Sequence, residues 1–120
     1  MSAATVDPRE MRDAVAAVLP WDSPARPELA KAVRLSLRIL AQASPGRSVE
    51  VRVPPFAAVQ CVEGPRHTRG TPPNVVEMDA RTWLELASGS LLWPDAVASG
   101  RVSASGNRAD LSALLPLVRL

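Results

Sequence analysis

A single cysteine, Cys61, and a single histidine, His67, stand close together in QCVEGPRHTRG. A thiol beside an imidazole is the pairing that nucleophilic catalysis uses. The pair lacks its third member, since no acid stands where it would orient His67. Cys61 also falls in an alternating pattern where a small buried hydrophobe is the usual occupant. One histidine and one cysteine cannot supply the three or four nitrogen and sulfur ligands of a zinc site. The acids are scattered: Asp7, Asp79 and Asp110 precede helical patterns and Glu50 sits on an exposed strand position. None forms a carboxylate pair suited to proton transfer. Ser103 and Ser105 flank Ala104 without a nucleophile elbow. The residues give no catalytic constellation, so the chain is expected to be no enzyme and to need no cofactor or metal.

Binding chemistry is better represented. Gly64 to Pro73, GPRHTRGTPP, holds too many glycines and prolines for helix or strand, and long loops in compact chains are often functional. Arg66, His67 and Arg69, with the exposed backbone N–H groups beside them, could hold a phosphate or carboxylate head group. Lys31, Arg34 and Arg38 line the outer face of a helical pattern. Such a stripe is usually a solvated face, and in a lipid carrier it could touch an anionic membrane surface transiently.

The elements that would position these groups can be read in order. Asp7-Pro8-Arg9-Glu10 is a well-formed helix start, followed by Met11, Val15, Val18 and Leu19 on one face and a stop at Pro20. A proline-punctuated connector follows. Pro27 then opens a longer helix with Leu29, Val33, Leu37 and Leu40 inward. Ser44-Pro45-Gly46 signals a turn. Val49, Val51 and Val53 alternate with Glu50 and Arg52 as the cleanest strand in the chain, broken by Pro54-Pro55. The spacing predicts a second strand over residues 56–63, with Val59 and Cys61 on one face, Ala58, Gln60 and Val62 on the other, and burial on both sides or a side turned to a cavity. Residues 74–78 read as a short strand. Asp79 caps a helix that carries Trp83, Leu86 and Ala87 inward and ends at Gly89. Pro94 opens a shorter helix with Val97 inward and Gly100 at its end. Arg101 to Ser105 alternates as a strand, and Asn107 with Asp110 predicts a final helix bearing Leu111, Leu114, Leu115 and Val118. Pro116 limits its regular length. Trp83 belongs to the core, while Trp21 and Trp93 could edge a pocket mouth.

Two stretches, Asp79-x-x-x-Trp83-Leu84-x-Leu86-Ala87-x-Gly89 and Ala96-Val97-Ala98-x-Gly100-Arg101-Val102, lie in an order of pieces that resembles the sterol carrier protein family, in particular its short bacterial branch. The resemblance covers roughly residues 49–118. It implies an α+β fold: a mainly antiparallel sheet of four or five strands covered on one face by helices, with an apolar tunnel between sheet and helices for an acyl chain or sterol. Carried onto this chain, the tunnel lining would be Val51, Val53, Val59, Val76, Trp83, Val102, Leu111, Leu114 and Leu115. A related fold serves as the accessory domain of mycothiol-dependent enzymes, whose separate metal-binding domain has no counterpart in these residues.

Composition sets the outer bounds. The chain has 120 residues, 47% apolar and 22% charged, with a net charge of +2. That suits one domain over residues 1–120, with N-terminal helices over 1–45 and sheet and C-terminal helices over 48–118. No apolar run approaches a bilayer span and MSAATVDPRE lacks a signal peptide's apolar centre, so a cytoplasmic protein is expected. A lone cysteine leaves the fold to stand on packing. One phenylalanine, three tryptophans and a small positive balance lack the basic density and aromatic platforms of nucleic-acid binding. Two function classes remain in front: a non-catalytic carrier of a lipid or other apolar small molecule, and an interaction or structural module with a filled core, for which a homodimer is one form.

Overall fold

The computed structural model describes residues 5–64 and 74–120. Its elements are α1 (Pro8–Val18), α2 (Arg26–Ala43), β1 (Val49–Val53), β2 (Ala57–Cys61), β3 (Asn74–Met78), α3 (Ala80–Ser88), α4 (Trp93–Ala98) and β4 (Val102–Ser105), followed by a single 3-10 turn, Ser112–Leu114.

The four strands form one sheet in the order β2-β1-β3-β4. Its two outer pairs are antiparallel and the central β1 and β3 run parallel, so the sheet is mixed but mostly antiparallel. Register brings Val59, Val51, Val76 and Ala104 into one row across it. Val49, Val51, Val53, Cys61, Val76 and Met78 on that side are buried beneath the helices. On the other side Ala58, Gln60, Glu77, Ser103 and Ser105 are exposed, and Arg52 pairs with Glu50. The α+β architecture with helices over one face therefore agrees with what the family resemblance implies.

Local signals explain most boundaries. Asp7 accepts from Arg9 N at 2.9 Å and Asp79 from Thr82 N at 2.8 Å, each taking up a first-turn donor that the helix itself leaves free. Gly89 ends α3 at φ +83, a left-handed geometry that costs glycine nothing. Met11, Val15 and Val18 of α1 and Val33, Leu37 and Leu40 of α2 are all buried, as amphipathic spacing requires.

Three expectations need correction. The Leu-rich C-terminus forms no regular helix. Asp110 does accept from Ser112 N at 2.9 Å, but the turn ends at Leu114, because Pro116 has no N–H to continue it. The chain then lies against α3, where the backbone N–H groups of Leu117 and Val118 both donate to Ala87 O. In α4 the buried residues are Trp93 and Ala96, three apart on one face, whereas Val97 is 44% exposed. Finally, β2 is an edge strand covered on one face only: Cys61 is buried while Ala58 and Gln60 are exposed. Its mixed composition reflects an open face that takes an alanine and a glutamine alike.

Candidate functional site

The residues expected to line a tunnel divide into two groups. Val51, Val53, Val76, Trp83 and Leu111 are 0% exposed and Val102 only 5%. At zero exposure a water-sized sphere finds no room beside the side chain, so this layer is close-packed. Val59, Leu114 and Leu115 are half-buried and pack around the same core. The structure thus brings the valines, Trp83 and Leu111 together in one interior, and places Leu114 and Leu115 at its rim.

Open apolar space lies at that rim. A recess of about 150 Å3 is walled by Leu86 and Gly89 at the end of α3, by Leu91 and Leu92 in the connector, by Trp93 and Pro94 at the start of α4, and by Ser112, Leu115 and Pro116 of the C-terminal segment. Among the described residues no charged side chain contributes to it. Leu92 at the recess is 62% exposed, more than an isolated surface leucine needs to be explained but consistent with the lip of a concavity. Three local facts build the site. Gly89 turns the chain out of α3, Pro94 occupies the first turn of α4 where its absent N–H costs nothing, and Pro116 packs against Gly89. Of the walls, sequence reasoning named Leu115 as lining and Trp93 as a pocket-edge residue, and missed Leu91, Leu92 and Pro116. The missed signal is the apolar run LLWP in a connector, where polar turn residues are the norm.

Two other clefts border the C-terminal segment. One of about 730 Å3, wide and open, is lined by Ala16, Leu19 and Pro20 of the α1 end, by Ser88, Gly89 and Ser90, and by Arg119 and Leu120. The other, about 570 Å3, holds Val62 and Leu114 together with Glu63, Arg108 and Asp110. Asp110 is held below the ordinary carboxylate range by the Ser112 backbone N–H.

Of the reactive groups, Cys61 is accounted for structurally. Cys61 is fully buried and burial pushes its thiol up to about 11, which leaves it protonated and unreactive at neutral pH. Arg66, His67 and Arg69, expected to contact an anionic head group, lie outside the described residues. Among the described residues no cluster of histidine, cysteine and acid could hold a metal ion. Lys31, Arg34 and Arg38 are exposed, and none enters an ion pair among the described residues. Lys31 shares a shallow cleft with Glu10, Asp13 and Glu28, so acids dilute the positive field of that stripe. No helix among the described residues is long and apolar enough to cross a membrane.

No curated protein matches the sequence. A family model described as bacterial SCP ortholog matches residues 25–117, which takes in α2, all four strands, α3, α4 and the tail across Gly89. With well over half of its length matched, the chain belongs to this sterol-carrier-like family.

Proposed function

We propose that the protein is a non-catalytic binder and carrier of an apolar small molecule, a lipid or a fragment of comparable character, and that the ligand enters at the recess between α3, α4 and the C-terminal segment. The observation that carries this reading is the recess itself: an uncharged concavity walled by four leucines, a tryptophan and two prolines, in a family named for sterol carriage. Burial is the only driving force required. Each methylene taken out of water contributes roughly 0.8 kcal/mol, so about five of them reach about 4 kcal/mol, or millimolar affinity. A longer chain would bind more tightly by pushing the C-terminal segment aside to reach the valine layer.

The experiment is native mass spectrometry of protein purified under mild conditions, followed by titration with fluorescent fatty acid. The wild type is expected to carry or accept an apolar ligand, and Leu115→Trp, which fills the recess, to refuse it. Undiminished uptake by Leu115→Trp would move the site elsewhere. The alternative, an interaction or structural module that acts through its surface as a homodimer, draws support from the close-packed valine layer. It predicts a ligand-free protein that refuses every apolar probe and self-associates at micromolar concentration.

A further inference from the structure

We propose that β4 is an interaction edge for a second copy of this chain: two β4 strands pair antiparallel about a two-fold axis at Ala104 and join two four-stranded sheets into one. This holds for a carrier and for a structural module alike. β4 is the last strand of the sheet, and among the described residues its outer side has no backbone partner. Ser103, Ala104 and Ser105 are exposed. Free N–H and C=O groups on such an edge are a template for another strand, which proteins ordinarily block with charge, proline or a bulge. Val102 to Ser105 carries neither charge nor proline, and its register with β3 is unbroken.

Three features of the edge select a second copy. The first is register. Centred on Ala104, the pairing sets Ser103 against the partner's Ser105 and Val102 against the partner's Gly106, so odd residues meet odd and even meet even, as an antiparallel ladder needs. The serine hydroxyls can then bond across the axis. The second is the apolar row Val59, Val51, Val76 and Ala104, which is buried at Val51 and Val76 and ends in the open at Ala104. Opposed residues of an antiparallel pair share a face, so the partner's Ala104 continues the row and covers its end. α4 packs on β4 and leaves Val97 44% exposed, which adds apolar surface beside the strand.

The third feature is charge. Arg101, just before β4, is already paired with Glu85, so no free like charges face each other across the axis. The opposite edge differs: at the start of β2 the Arg26 guanidinium stands 5.2 Å from the centre of the Phe56 ring, a charge of the blocking kind. A four-residue edge makes a small interface, which sets the dissociation constant on the order of 100 µM.

The test is sedimentation velocity from about 10 µM to about 1 mM, a range that brackets that constant. The wild type should pass from monomer to dimer. Ala104→Glu sets two carboxylates against each other and should stay monomeric, as should Ala104→Lys, while an equimolar mixture of the two should recover the dimer. Ala104→Cys places two thiols about 4.5–5.5 Å apart at Cβ. Oxidised glutathione, taking up their two electrons and two protons, should link them far faster than it links Ala17→Cys, exposed on α1, and the buried Cys61 should not react. Ala104→Glu should still take up fluorescent fatty acid and Leu115→Trp should still dimerise, so the edge and the recess are read separately. A wild type that stays monomeric at the highest concentration would overturn the proposal and leave the edge to an extended segment of another protein. A dimer that survives Ala104→Glu, or cross-linking no faster at position 104 than at 17, would overturn it as well.

Discussion

The indole N–H of Trp83 donates to Ser36 Oγ at 2.8 Å, joining α3 to α2 across 47 residues of sequence with both side chains fully buried. Ser36 passes its own hydrogen to Ala32 O at 2.6 Å, with Val33 O 3.0 Å away. The largest buried side chain thus has its one polar atom satisfied by a helix residue that remains free to accept.

Ser36→Ala removes that acceptor and strands a buried indole N–H. The expected cost is about 1–3 kcal/mol, read as a lower urea midpoint with unchanged slope. Trp83→Phe leaves a void and also loses the bond, so it should cost about 3 kcal/mol. The double variant should cost less than the sum, because the two changes remove one shared interaction. Strict additivity would mean the bond contributes nothing.

The cap at α3 is a separate element. Asp79→Ala loses the acceptor for Thr82 N and should destabilise by about 1 kcal/mol. Asp79→Asn retains an acceptor oxygen and should recover most of it. Thermal denaturation of the two variants side by side is the measurement, and equal losses would show that charge rather than the hydrogen bond matters.

How much of this was readable beforehand follows from where each signal resides. β1, β3 and α3 carry theirs locally: alternating valines in one, a short apolar run in the next, an aspartate and a glycine bracketing nine residues in the last. Ser36 did not announce itself, because a serine in a helix reads as neutral until Trp83 arrives from 47 positions away. The leucines after Asp110 kept helical spacing, and only the course of the tail over α3 shows that Pro116 wins over periodicity. The recess was hidden for a related reason. Whether inward residues enclose a void or fill it depends on how layers meet, and Val51, Val76 and Trp83 fill theirs, while Leu86, Trp93 and Leu115, from three separate segments, leave space.

Gly46 marks a point where backbone meets backbone. A Cβ there would stand 2.1 Å from Val62 O, and φ is +152. Ser48 N and Ser48 Oγ both donate to the same carbonyl, at 3.1 and 2.8 Å, so Val62 cannot withdraw without breaking them. Gly46→Ala is expected to cost more than about 3 kcal/mol, at the severe end for a point substitution. Gly100→Ala is a useful contrast: φ is +78 but nothing lies within 4 Å of the added Cβ, so only the strain of a left-handed alanine remains, about 1 kcal/mol. Chemical denaturation of the pair separates steric clash from backbone strain, and equal losses would refute the distinction.

Burial of Cys61 gives the protein a defined alkaline weakness. The thiol is pushed from 9.0 to about 11 by desolvation. In the unfolded chain it ionises near its ordinary value while the folded chain still holds its proton. The unfolded state therefore binds fewer protons between about pH 9 and 11, and stability falls as pH rises through that window. Two units correspond to roughly 2–3 kcal/mol lost by pH 11, with no contribution from this group below pH 8. Cys61→Ala has no thiol to ionise. It should start less stable, through the small void it leaves, yet show a flatter profile, so that the gap between the two proteins narrows from pH 8 to pH 11. Urea midpoints measured across that range check the sign directly. Parallel curves would mean that Cys61 ionises equally easily in both states, and rapid labelling of the native thiol by a disulfide reagent at pH 7 would say the same.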